Sequence, residues 1–354
     1  MRRISAIYSG QSIIELPDLE SRSTDIISDV GIDQCNDPEK VEGTADFYPL
    51  YRTDDKFIFI IRMDRLQILL AIMSDDAVCN IDRDDSEERG TSMKLSVSNI
   101  AWKAEDDEKV YSMMRKYGYC GLEIAPTRIF PDDPYGQLED AFQWSSRMKM
   151  QFGLEIASMQ SIWFGRTEQI FGSEQDRKVL LEYTKRAIDF ANKTGCRNLV
   201  FGCPRNRNLE DASLWKVGVA FFRELGEYAL QKGTVIGMEA NPVIYHTNFI
   251  NDTVSALELI REVHSSGFLL NLDVGTMIEN HENIQILEGN VDKINHVHIS
   301  EPNLKLIESR ELHRDLCRLL KERSYRNYVS IEMGRTDNLD ELEQTLQYVK
   351  GIVD

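Results

Sequence analysis

From Met93 onward the chain repeats one pattern. A short run of apolar, β-branched residues is followed each time by a longer stretch with apolar positions at helical spacing. Strand signals fall at Met93–Trp102, Gly121–Ala125, Glu155–Ser161, Asn198–Gly202, Val235–Glu239, Phe268–Asp273, the run from Ile294 to Pro302, and Tyr328–Glu332. Helical spacing covers about 106–117, 135–150, 174–193, 209–232, 252–264, 307–323 and 338–351. In the stretch from Glu174 to Lys193, Val179, Leu180, Tyr183, Ala187 and Phe190 share a face, and Asn251-Asp-Thr253 is a capping signal. Eight strands alternating with helices over roughly 260 residues match an α/β fold of the (β/α)8 TIM barrel type. A doubly wound open sheet competes, but no GxGxxG follows the first strand.

In such a barrel, chemistry gathers where the strands end. The fifth to eighth strands end in Glu239, Asp273, His298 and Glu332. Consecutive strands are neighbours in the wall, so the four side chains are expected to converge. Two Glu, one Asp and one His make a hard, mostly oxygen site for one divalent cation, Mn²⁺, Mg²⁺, Co²⁺ or Zn²⁺. Without a cation, three such carboxylates would raise each other's pKa. Each residue alone has a plainer reading: a helix cap, a salt bridge or, for Asp273 before Val-Gly-Thr, a turn. Their joint placement is what points to a metal.

His296 lies two residues before His298, on the same face of a strand. It is expected either to bind a substrate hydroxyl or to make a core hydrogen bond below the metal. Glu123, Gln160 and Asn241 are expected to line the mouth. Arg205 and Arg207, in Cys-Pro-Arg-Asn-Arg after the fourth strand, suit a phosphate or carboxylate clamp, or else a solvated loop. Trp102, Trp163 and Phe164 follow strand ends and suit either an apolar wall for a ligand or packing at the rim. His264, His281 and His313 are expected to be surface or structural.

The net charge of −18 argues against nucleic acid as a partner. The longest apolar block, Phe57 to Met73, is broken by Arg62, Asp64 and Arg65, so no membrane span is expected. Six scattered cysteines without a CxxC suggest reduced thiols, and the amino terminus is a poor signal peptide, so a cytoplasmic location is expected. Residues 1–92 hold 20 acidic and 10 basic residues, about −10 of the total charge. FIFIIRMDRLQILLAIM suggests two strands meeting at Met63-Asp64, with Tyr48–Arg52 a third, and IDRDDSEERGTS has the composition of a linker. Residues 1–92 are therefore expected to form a small, acidic, β-rich appendage, and residues 93–354 the barrel.

Several fragments, in order and at barrel spacing, resemble the sugar phosphate isomerase/epimerase family of xylose isomerase-like barrels. They are Gly121-Leu-Glu-Ile-Ala125, Ser158-Met-Gln-Ser-Ile162, Asn198-Leu-Val-Phe-Gly202, Met238-Glu-Ala-Asn-Pro242, Asn271-Leu-Asp-Val-Gly-Thr276, His296-Val-His-Ile-Ser-Glu301 and Ser330-Ile-Glu-Met333. The resemblance covers some three quarters of the chain. It implies a divalent metal held by Glu239, Asp273, His298 and Glu332, with the two glutamates also acting as the acid–base pair. Where related ketose epimerases carry a histidine, an arginine and a glutamate for substrate, this chain has Thr276, Leu304 and Tyr245, the last followed by His246, a further candidate substrate contact. A ketohexose substrate is therefore not carried over.

The expected activity is isomerisation or epimerisation of a small-molecule sugar or sugar phosphate. Either Glu239 or Glu332 takes a proton α to a carbonyl and the other returns it, with the cation as Lewis acid. Loss of a β-hydroxyl from the same enediolate would make the enzyme a dehydratase. A phosphodiesterase like the type IV apurinic endonucleases needs three metals and more histidines than the six here. A non-catalytic barrel would have no use for all four ligand types. A homodimer is the ordinary expectation for assembly.

Overall fold

The computed structural model describes residues 93–354 in full and, within residues 1–92, the backbone of five strand segments. The chain divides into two compact units, Met1–Arg89 and Gly90–Asp354. In the first, Lys56–Met63 pairs antiparallel with both Ala45–Thr53 and Gln67–Ser74. The break between the last two strands falls at Met63-Asp64, as the sequence suggests. Ser5–Tyr8 pairs with Ser12–Glu15 in a hairpin that the sequence pattern did not single out. The stretch expected as a linker lies, up to Ser92, outside the described residues.

The second unit is a closed barrel of eight parallel strands. They are β1 (Lys94–Ser98), β2 (Gly121–Ile124), β3 (Glu155–Met159), β4 (Leu199–Phe201), β5 (Ile236–Met238), β6 (Phe268–Asp273), β7 (Ile294–Ile299) and β8 (Tyr328–Ile331). β8 pairs with β1, from Tyr328 against Lys94 to Ile331 against Val97, so the sheet has no edge and an open sheet is excluded. The outer helices are α1 (Asp107–Lys116), α2 (Leu138–Arg147), α3 (Glu174–Thr194), α4 (Trp215–Gln231), α5 (Thr253–Val263), α6 (Val274–Glu279), α7 (Glu311–Glu322) and α8 (Leu339–Val353).

Local chemistry sets their limits. Ser173 and Asp176 close a capping box at the start of α3, and Gly195 ends it with φ 74. Asp252 and Ser255 do the same for α5. Helix α6 has only six residues, too few for a periodic signal, and the Asp273 side chain caps it by accepting from Thr276 N. Most of the strands stop a residue or more short of their sequence signals. Glu239 and Glu332 therefore stand one residue past the last ladder pair, still tied to the neighbouring strands by Glu239 N donating to Phe201 O and Glu332 N donating to Ile299 O, both at 3.0 Å.

Barrel interiors are usually filled by layers of branched apolar side chains. Here Ser96, Ser98, Glu123, Ser158, Asn198, Asn271, His296, His298 and Ser330 are all buried. Asn198 donates to Ser158 Oγ at 2.9 Å and to Asn271 Oδ1 at 3.3 Å. A Cβ on Gly237 would lie 2.6 Å from Asn198 Oδ1, so this polar layer also needs a glycine on β5. The apolar core instead lies between strands and helices, where Phe201, Phe222 and Phe268 pack together.

Outside the barrel wall, His313 of α7 is buried, with Nδ1 3.0 Å from Tyr348 Oη. Burial pushes its pKa down to about 4. The unfolded chain binds this proton near pH 6.5, so the group's stabilising contribution is complete above that pH and is lost as pH falls towards 4. Urea unfolding at pH 7 and pH 4.5 is expected to show His313→Gln losing on the order of 2 kcal/mol less over that interval than the parent chain.

Candidate metal centre

The carboxyl ends of β5 to β8 bring Glu239, Asp273, His298 and Glu332 together, with one ligand atom from each lying within 4.8 Å of all the others. All four are at least nine-tenths buried except Asp273, which is partly exposed. His298 Nδ1 is 3.0 Å from Glu239 Oε1 and 3.1 Å from Glu332 Oε2. Its other nitrogen, Nε2, is 2.8 Å from Glu123 Oε2. The imidazole is thus held from behind by one carboxylate and faces two others. This is how a ligating histidine is oriented and its tautomer fixed.

Each carboxylate in the cluster has its own support. Glu239 accepts from Asn271 Nδ2 at 2.9 Å on one oxygen and from Asn241 Nδ2 at 3.2 Å on the other. Asp273 accepts from Thr276 N at 2.7 Å, from Thr276 Oγ1 at 2.8 Å and from Ser300 Oγ. Glu332 has one polar partner among the described residues, His298 Nδ1, so it is the least restrained of the three. A Cβ on Gly202 would lie 2.7 Å from Glu239 Oε2, so the Glu239 carboxylate occupies space that only glycine leaves.

The electrostatics follow from burying like charges together. Burial pushes the Glu239, Asp273 and Glu332 carboxyls up, and neighbouring carboxylates add to this in each case. Asp273 reaches about 6. Burial alone would lower the pKa of His298, but Glu123 and Glu332 outweigh it and hold the imidazole well above its usual value. A proton at Nδ1 therefore stands among three carboxylates. A dication fits the same place chemically, because it would satisfy the carboxylates and displace that proton. The donor set, mostly oxygen with one imidazole, matches Mn²⁺, Mg²⁺, Co²⁺ or Zn²⁺.

The other sequence candidates divide. Glu123 does not line the mouth; it is fully buried inside the barrel, beneath His298, where one carboxylate oxygen meets both histidines. His296 is one level deeper than His298, with Nε2 3.3 Å from the same Glu123 oxygen, and burial lowers its pKa. This placement favours the core role over the substrate role. Gln160 and Asn241 are buried at the strand ends. Arg207 is buried and donates to Asn241 Oδ1 at 2.6 Å, whereas Arg205 is exposed. His246 is exposed and holds a left-handed φ of 60, at the end of a short turn.

The tryptophans belong to the wall. Trp102 donates to Asp107 at the start of α1, and Trp163 donates to Thr184 of α3 while packing on Phe201 and Phe221. Their indole N–H groups found partners in the helix layer, so neither ring forms an apolar wall for a sugar. Phe164 is 70% exposed.

Asn271, Ser300 and Thr276 were not read as supports for the cluster. Asn271 and Ser300 lie two residues from Asp273 and His298, on the same strand faces, so the period-2 rule that paired the histidines also points to them. Tyr245, in the loop after β5, accepts from Asn303 N at 2.9 Å. Burial and then Asp273, Glu239 and Glu332 push its pKa to about 12, so the phenol keeps its proton.

The model for a xylose isomerase-like TIM barrel matches residues 112–352. The chain belongs to the xylose isomerase-like TIM barrel family. No curated protein matches it in sequence. Solved members of the same fold include the 3-keto-D-glucoside 4-epimerase of E. coli, which is 20% identical at TM-score 0.60 and covers 73% of this chain and 99% of its own. A sugar phosphate isomerase/epimerase of Parabacteroides distasonis is 16% identical at TM-score 0.57, covering 74% and 96%. A probable 3-DHS dehydratase of Bacillus anthracis is 17% identical at TM-score 0.55, covering 72% and 98%. At these identities the likeness concerns the fold. Among the described residues, no helix of this xylose isomerase-like barrel is long and apolar enough to cross a membrane.

Within the centre, Glu123 is expected to act through His298. Glu123→Gln keeps the volume but removes the charge that fixes the imidazole, and the expected cost is about 10–100-fold in divalent-metal affinity. Titration of the full chain with Mn²⁺ measures it; unchanged affinity would rule out the orienting role.

Proposed function

We propose that this xylose isomerase-like barrel is a divalent-metal-dependent sugar or sugar-phosphate isomerase or epimerase. What supports the reading most is the placing of two glutamates, Glu239 and Glu332, on the same imidazole nitrogen within one four-residue ligand cluster. A divalent cation held by Glu239, Asp273, His298 and Glu332 would supply Lewis-acid polarisation of a substrate carbonyl. One glutamate removes the proton α to that carbonyl, and the other returns a proton to the planar enediolate. Return to a neighbouring carbon isomerises the sugar; return to the opposite face epimerises it. Asp273, tied to Thr276 and Ser300, serves only as a ligand. The amides of Asn241 and Asn271 hold Glu239 in line.

Tyr245 favours one second reading. Its phenol, carried by the loop after the Glu239 strand, would be the proton donor to a departing β-hydroxyl, which would make the reaction a dehydration. The test is incubation with Mn²⁺ in deuterium oxide across ketoses, inososes and sugar phosphates. Deuterium gained without loss of water supports isomerase or epimerase chemistry; loss of water supports the dehydratase. Metal-dependent cleavage of abasic DNA without either would overturn both.

A further inference from the structure

Arg207 is fully buried in the loop after β4, yet its only hydrogen-bond partner among the described residues is an uncharged amide. Of its three guanidinium nitrogens, Nη2 donates to Asn241 Oδ1 at 2.6 Å, while Nε and Nη1 have no hydrogen-bond partner among the described residues. Buried charges are ordinarily paired, because leaving water without compensation is costly. Asn241 passes part of the interaction on to Glu239 Oε2 at 3.2 Å, which places the guanidinium one side chain away from the metal cluster. A second orphan stands on the adjoining strand. Gln160, the residue after β3, whose strand pairs with β4, has a buried Nε2 without a hydrogen-bond partner among the described residues, its oxygen accepting from Ser161 Oγ.

All these free atoms are donors, and one side chain carries a full positive charge. The acidic ligands occupy the ends of β5 to β8, and the donors lie on the side of β3 and β4. A group that accepts only, and is negative, satisfies the second side.

We propose that Arg207, assisted by Gln160, binds an anionic substituent of the substrate, a carboxylate or a phosphate, while the carbonyl end lies at the metal cluster. The substrate is then a sugar acid or a sugar phosphate rather than a neutral sugar. Arg207 acts as a specificity-determining residue, and this assignment rests on the isomerase, epimerase or dehydratase reading of the same mouth.

The test uses the full chain with Mn²⁺ and three related compounds: D-fructose, D-fructose 6-phosphate and 5-keto-D-gluconate. Deuterium exchange is followed for each, and binding of each is measured by calorimetry. The anionic members are expected to show KM values at least about 30-fold below that of the neutral ketose. Arg207→Met is expected to remove that advantage by raising KM for the anions, and Arg207→Lys to keep part of it. A preference for phosphate or for carboxylate distinguishes the two sources of charge. Equal kcat/KM for neutral and anionic members overturns the proposal while leaving the isomerase reading standing. If no compound exchanges, here or across the wider panel of ketoses, inososes and sugar phosphates, that reading fails and calorimetry decides: tighter anion binding lost in Arg207→Met supports the subsite, and no preference for anions overturns it. Should Arg207→Met not fold, the comparison within the parent protein decides alone.

Discussion

Glu332→Gln and Glu239→Gln are each expected to slow solvent-deuterium exchange into the true substrate by roughly a thousandfold, while the barrel folds unchanged. Proton transfer by a positioned carboxylate contributes about 10²–10⁴-fold, and an amide cannot accept the proton. The substitution is nearly isosteric, so these buried side chains keep their packing. The two variants should nevertheless differ. Glu239 accepts from two asparagine amides, so the amide introduced by Glu239→Gln must reverse at least one of those hydrogen bonds. Glu332 has only His298 as a hydrogen-bonding partner among the described residues, so the amide introduced by Glu332→Gln reverses no second hydrogen bond. A larger loss of metal affinity is therefore expected for Glu239→Gln. Because two groups serving one proton path act as a unit, the double variant should be little slower than the slower single one. Metal content measured beside the exchange rate separates lost chemistry from lost cation. Parental exchange in either variant would remove that glutamate from the proton path.

The architecture was legible because strand and helix periods alternate without interruption, and because β5 to β8 each present a ligand type at the same place. A period-2 pattern fixes which face a residue takes only while the ladder lasts. His296 and His298 lie inside β7, so their common face could be read, and with it the alternative of His296 below the metal; the partner at that depth, Glu123, is what the structure adds. Glu123 lies inside β2, one residue before its end, so it points to the interior below the mouth, which a strand signal running to Ala125 does not locate. Beyond the ladder the periods stop applying. Trp102 and Trp163 follow short turns that swing them outward to helix-layer acceptors. Arg205 and Arg207 are separated by a turn that starts from Cys203 at φ 44 and contains Pro204, so of two arginines two residues apart one ends exposed and the other buried. Residues that carry function were easiest to place where regular backbone carries them.

Removing divalent metal with a chelator is expected to lower the melting temperature of the parent protein, and His298→Ala to abolish that response. In the absence of a cation, burial and mutual repulsion already push the Glu239, Asp273 and Glu332 carboxyls upward, which means that holding them ionised opposes folding. A ligand that binds only the folded chain stabilises it by about 4 kcal/mol when present at a thousand times its dissociation constant. For a unit of this size that corresponds to a shift of roughly 8 °C or more. Truncating His298 removes the one nitrogen donor, together with the group that the Glu123 charge steadies. Glu123 is then left fully buried with His296 as its one ionic partner among the described residues, so the variant should also be several kcal/mol less stable than the parent without metal. His298→Asn, which keeps a polar contact in the same space, should recover part of that stability without restoring the metal response. A melting temperature that is indifferent to metal in the parent protein would mean that these four side chains are an acidic cluster neutralised by protons alone. Titration with Mn²⁺ at pH 7 distinguishes the two states, because cation binding must displace the proton that His298 holds among the carboxylates.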